Sequence, residues 1–128
     1  MSKFPYRKDR EELKALLQQF ENLKSGKPNS FIEEDSFERI IDYYDDNEKL
    51  QQALEAAGYG ISQYPYSAML LLKKADILIA LRHYKQALFV LDQAEVLDSK
   101  DTNLYILKTD AYLALDMQQK AAEVLEAA

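Results

Sequence analysis

The sequence has no cysteine and no tryptophan, and only 3 glycines, 3 prolines and 1 histidine among 128 residues. Without cysteine there is neither a disulfide nor a thiolate nucleophile, a composition compatible with a reducing cytoplasm. The lone histidine, His83, has no second imidazole to make a zinc pair, and it falls in a polar stretch between two helical patterns. Glycines at 26, 58 and 60 cannot build a glycine-rich phosphate loop. Their scarcity, with that of proline, lets long segments run as uninterrupted helix. Also missing is any apolar run near the roughly 18 residues that cross a membrane. The longest, Ala68 to Leu72 and Ile77 to Leu81, sit inside amphipathic patterns. The N-terminus becomes charged at once and shows no apolar signal core, so a cytoplasmic location is the default expectation.

What is present is charge, unevenly spread. Residues 1–28 carry seven basic and four acidic side chains, and residues 29–67 carry two basic and nine acidic. The remaining segments are near neutral, and the whole chain is −6. Nucleic-acid affinity depends on lysine and arginine displacing counterions. An acidic chain of this kind is expected to bind neither nucleic acid nor membrane.

Self-similarity at one period organises the rest. Shifted by 34 residues, Ala53, Ala87 and Ala121 coincide, as do Ala57, Leu91 and Leu125, and then Gly60, Ala94 and Ala128. Upstream, Phe37, Leu71 and Tyr105 align, and so do Tyr44, Leu78 and Tyr112, with Ile41, Ala75 and Thr109 between them. Each unit reads as two helices with apolar residues at three- and four-residue steps. The first helices are predicted at Glu34 to Asp46, Ala68 to Leu81 and Thr102 to Leu115. The second are predicted at Lys49 to Gly60, Lys85 to Leu97 and Gln118 to the end. Ser30 and Glu33 have the spacing of a capping box, and Gly58, Gly60 and Pro65 read as the exit from the first hairpin. A small column between antiparallel helices allows close approach, and successive hairpins must stack because one alone cannot bury its stripe.

These columns resemble the tetratricopeptide repeat. Leu71, Ala75, Leu78, Ala87, Leu91 and Ala94 occupy its signature positions in the middle unit, with Phe37, Tyr44, Ala53 and Pro65 in the first. Tyr105, Tyr112, Ala121, Leu125 and Ala128 occupy them in the third. The departures are Lys74 and Lys108 in an apolar column, Ile41 where a small residue is usual, and Ser99 in place of the last proline. The resemblance implies an all-α solenoid of helix-turn-helix hairpins in a right-handed superhelix. Its units would be 34–67, 68–101 and a truncated 102–128, the last suggesting an N-terminal fragment of a longer repeat protein. Residues 1–29 stand outside as a non-repeat amphipathic helix and linker, because the 34-residue register would put Lys3, Arg7 and Gln19 in core columns. That helix, expected over residues 9–24, is either a cap on the first hairpin or a basic docking arm.

No catalytic residue, metal site or cofactor is expected. The acidic groups Glu33-Glu34-Asp35 and Asp42-Asp45-Asp46-Glu48 lack the alternating ligands and turn glycine of a calcium loop and read as solvated helix faces. Recognition is the better prospect. The resemblance implies that the first helix of each unit lines a concave groove, through Asp35, Glu38 and Asp42, then Met69, Leu72, Lys73, Asp76 and Ile79, then Asn103, Ile106, Asp110 and Leu113. Asp42, Asp76 and Asp110 form one column. The plain explanation of that ladder is shared ancestry of solvated positions; the functional one is an acidic-apolar groove for a peptide with lysine or arginine beside apolar residues. The clamp by which some family members hold anionic chaperone tails would fall on Glu38, Asp42, Lys73, Asn103 and Leu107, a set that repels such a tail. The expected function is thus a protein-binding scaffold and not an enzyme. The alternative is an assembly unit that self-associates through exposed repeat ends.

Overall fold

The computed structural model describes residues 3–128, with side chains from residue 8 onward. Met1 and Ser2, counted above in the N-terminal segment, lie outside the described residues, as do the side chains of Lys3 and Arg7. Seven α-helices and no strand occur among them: α1 (Lys3–Lys24), α2 (Glu34–Asp46), α3 (Leu50–Gln63), α4 (Ala68–Ala80), α5 (Tyr84–Leu97), α6 (Thr102–Ala114) and α7 (Gln118–Ala127). Each helix packs on its neighbours in the chain, and α4 also touches both α2 and α6. None of the described helices is long and apolar enough to cross a membrane.

The small column does what close packing requires. Ala53, Ala87 and Ala121 are buried, and so are Ile41, Ala75 and Thr109 on the facing helices. Thr109 satisfies its hydroxyl by donating to the Tyr105 carbonyl one turn back (2.8 Å). One core gathers Phe37, Ile40, Ile41, Ala53, Ala57 and Leu70, and a second gathers Leu71, Ala75, Leu78, Ala87, Leu91 and Leu104. Partly buried Leu54 and Ile61 pack against both and join them. In the third unit Leu125 is 62% exposed, since α7 packs against α6 alone among the described helices.

The period also appears in the backbone, where no side-chain pattern announced it. Glu48, Arg82 and Asp116 all have positive φ, at 58°, 66° and 60°, and stand 34 residues apart. Each follows the C-cap of its hairpin's first helix. The next amide then reaches back to the carbonyl five residues earlier, from Lys49 to Tyr44, His83 to Leu78 and Met117 to Tyr112, all at 2.8 Å. This is Schellman closure, which favours glycine at the left-handed position. Three non-glycine residues hold it here. At the other end of each unit, Ser67 caps α4 by accepting from the Leu70 amide (3.1 Å) and Asp101 caps α6 by accepting from Asn103 (2.8 Å).

Three local expectations need correction. Ser30 is not a cap: its hydroxyl bonds the Lys27 carbonyl, and Glu33, which precedes α2, makes no side-chain cap bond. Two glycines do not end α3, which runs on to Gln63. Gly60 instead lies inside the helix where Phe37 and Leu70 press against the backbone; a β-carbon there would stand 3.1 Å from the Phe37 ring and 3.2 Å from Leu70. The turn comes four residues later, where the Tyr64 hydroxyl donates to the Ile32 carbonyl (2.7 Å) and ties the linker down. Finally, α1 begins at Lys3 and not near residue 9.

That first helix is fastened to the first hairpin. Phe20 is fully buried, with its ring edge-on to Tyr59 (centroids 5.6 Å apart) and tilted against Tyr44 (6.4 Å). Lys24 reaches Glu55 of α3 at 3.3 Å, and Arg39 of α2 meets Glu12 at 3.6 Å. Leu16, Leu17 and Leu23 complete the apolar stripe.

Candidate functional site

Because α2, α4 and α6 touch in sequence, residues on their shared side come together. Between them opens a cleft of about 500 Å3. Glu38 of α2 borders it, Met69, Leu72, Lys73 and Asp76 of α4 form its centre, and Asn103 and Ile106 of α6 close the far side. Seven of the twelve expected groove residues therefore share one surface depression. The other five do not line it. Asp35 is exposed at the start of α2, Ile79 packs against the second core, and Asp110 and Leu113 lie further along α6. Asp42 lies in a separate hollow with Leu13, Arg39 and Asp46.

Four residues complete the lining: Ala68, Asp98, Asp101 and Leu107. Asp98 and Asp101 come from the turn between α5 and α6, and the repeat pattern, read only on helices, gave no reason to include that turn. A signal did exist, since Asp101 stands 34 residues after the cap Ser67 and so marks where the turn meets the cleft.

The aspartate column does not form a uniform acidic strip. Lys73 reaches across from α4 to Asp42 at 2.6 Å and to Glu38 at 3.6 Å. Desolvation pulls the Lys73 ammonium down, but the hydrogen bond and charge of Asp42, joined by Glu38, outweigh it and leave its pKa raised. Asp42 is thus tied to a cation, while Asp76 makes no ion pair among the described residues. Partial desolvation pushes the Asp76 carboxyl above its ordinary value; Asp45 adds to this, Lys73 opposes it, and Asp110 and Asp42 add again. The cleft thus sets Asp76, Asp98 and Asp101, none of them ion-paired among the described residues, beside the apolar side chains of Met69, Leu72 and Ile106. No family model and no curated protein matches this chain.

Outside the cleft, the two lysines that departed from the repeat signature differ in their surroundings. Lys108 is drawn between Asp92 (3.0 Å) and Glu95 (2.5 Å) of α5, with its side chain only 12% exposed. Desolvation lowers its pKa, and the hydrogen bonds and charges of those two carboxylates more than restore it. Lys74 has no such pair among the described residues. The groups needed for metal binding do not assemble either: no cluster of three candidate ligands occurs among the described residues.

Proposed function

We propose that residues 34–128 are tetratricopeptide-type hairpins stacked as a right-handed solenoid, with α1 as its cap. We further infer that the chain works as a cytoplasmic protein-binding module and not as an enzyme. Supporting the repeat reading are the 34-residue recurrences of the buried alanines, the left-handed turn residues and the cap positions. The function rests on the cleft: an open depression of about 500 Å3 that sets the apolar side chains of Met69, Leu72 and Ile106 beside the unpaired Asp76. A segment with lysine or arginine next to an aliphatic residue would satisfy both features, the cation at Asp76 and the side chain over Met69, Leu72 and Ile106. Asp98 and Asp101 extend the negative border toward α6, so a second basic residue further along the segment has a place to go.

Selection from a displayed random-peptide library tests this directly, run in parallel on the wild type and on Asp76→Asn. Asp42 is better left in place, because removing it would take away the closer of the two carboxylates that neutralise Lys73, itself part of the cleft. The wild type should enrich peptides that combine basic and aliphatic residues, and Asp76→Asn should lose the basic preference. Enrichment of acidic peptides by the wild type, or the same peptides from both proteins, would sink the assignment. The alternative reading, an assembly unit, draws on Leu113 (53% exposed), Met117 and Leu125 at the α6–α7 end. Sedimentation that shows no concentration dependence would remove it.

A further inference from the structure

A different surface carries a second binding prospect. Between α4 and α5, Lys74, Leu78, Lys85, Gln86, Phe89 and Val90 line a groove of about 390 Å3. The Phe89 ring is 67% exposed, and neither lysine pairs with a described carboxylate. We propose that this groove docks an acidic, apolar helical segment of another protein, with its carboxylates on Lys74 and Lys85 and an aliphatic side chain against Phe89.

The chain itself shows what a lysine in this place takes as a partner. Lys108 occupies the same position one unit later, and Asp92 and Glu95, three residues apart on one helical face, hold its ammonium. Subtracting 34 from each gives the residues that should serve Lys74, and these are Gly58 and Ile61. Both carboxylates are missing. Space is missing nothing: a β-carbon on Gly58 would meet no atom within 4 Å. The second unit thus retains the lysine of an internal ion pair, leaves its acidic half empty, and places an exposed aromatic ring beside it. A partner helix with two carboxylates at the spacing of Asp92 and Glu95 supplies what the fold omits. Two lysines on a chain of net charge −6 are too few for a nucleic-acid backbone, and the ring favours an apolar neighbour over a phosphate.

The probe is a fluorescein-labelled, end-capped, stapled helical peptide with Asp and Glu three residues apart and leucines flanking them. Its control carries Asn and Gln at those places. Anisotropy should show saturable binding of the acidic peptide to the wild-type protein, weakened about tenfold by Lys74→Gln and by 0.5 M salt. Gly58→Asp, which returns a carboxylate to the chain's own α3, should weaken binding to a similar degree. Gly58→Ala changes the same residue without adding charge and should bind as the wild type does, which separates pairing from any effect on the fold. Asp76→Asn alters only the inner cleft and should leave this affinity untouched, so failure here and failure of the peptide-groove reading are distinguishable. Equal affinity for the acidic and amide peptides overturns the proposal, as does full affinity in Lys74→Gln. Dimerisation of the protein that Lys74→Gln abolishes, with no peptide bound, overturns it in favour of a second copy as the occupant.

Discussion

The three left-handed turn residues offer the sharpest test of the physical account. Glu48, Arg82 and Asp116 each hold φ near +60°, a region where a β-carbon crowds the following carbonyl at a cost of about 1–2 kcal/mol. Glycine removes that cost but adds unfolded-state entropy, worth about 0.5–1 kcal/mol. The net gain per site is then about 0.5–1 kcal/mol. The sites are 34 residues apart in separate hairpins, so the triple glycine variant should gain about 2 kcal/mol by simple addition. For a chain of this size that raises Tm by roughly 6–10 °C. The assay is urea and thermal unfolding followed by circular dichroism at the helix band, with each single variant measured beside the triple. Alanine at the same positions keeps the β-carbon and should gain nothing. Gln93→Gly, at an exposed position inside α5, should lose about 1 kcal/mol. A triple variant no more stable than wild type, or a gain matched by alanine, would refute the strain argument.

Other consequences are equally direct. Gly60→Ala should cost about 1–3 kcal/mol, since its methyl group would crowd Phe37 and Leu70, whereas Gly58→Ala, in open space, should gain about 0.5–1 kcal/mol; denaturant midpoints compare the two. Phe20→Ala should cost about 3–5 kcal/mol if α1 unfolds with the first hairpin, and amide exchange would show protection lost in α1 and at the Tyr44 and Tyr59 contacts together. The Asp76 carboxyl has a raised pKa in the folded state, so its ionised form opposes folding at neutral pH and the penalty fades as pH falls through that value. Asp76→Asn should therefore raise Tm at pH 7 and lose the advantage near pH 3, read by thermal melts across that range; an equal gain at both would show that charge is not the cause.

Much of the fold was legible because helices announce themselves by period. Apolar residues at three- and four-residue steps located α2 and α4 to α7 within a residue or so at each end, and the 34-residue shift located the buried alanines. What stayed hidden depends on geometry that no one-dimensional pattern encodes. Gly60 looks like a terminator in sequence and acts as a contact surface in the fold, because only the approach of Phe37 and Leu70 gives it a role. Lys108 looks like an error in an apolar column, and two acids from the preceding helix explain it. In the cleft, α4 contributed the residues expected of it except Ile79, while the turn residues Asp98 and Asp101 escaped a reading confined to helices. Asp42 shared its column with Asp76 yet met a lysine from the next unit, a difference that repeat position alone cannot express.

The seating of α1 has a consequence for how copies of this chain could meet. Each helix packs on its neighbours in the chain, so α1 and α7 lie at the two ends of that run of contacts. With Phe20 buried between Tyr44 and Tyr59, α1 covers an apolar face of the first hairpin, while Leu113 and Leu125 stay exposed on α6 and α7. Head-to-tail joining of copies through that face of the first hairpin would need α1 to leave its seat. A meeting of two copies through Leu113 and Leu125 would instead bring like against like, a two-fold pair that closes on itself and stops.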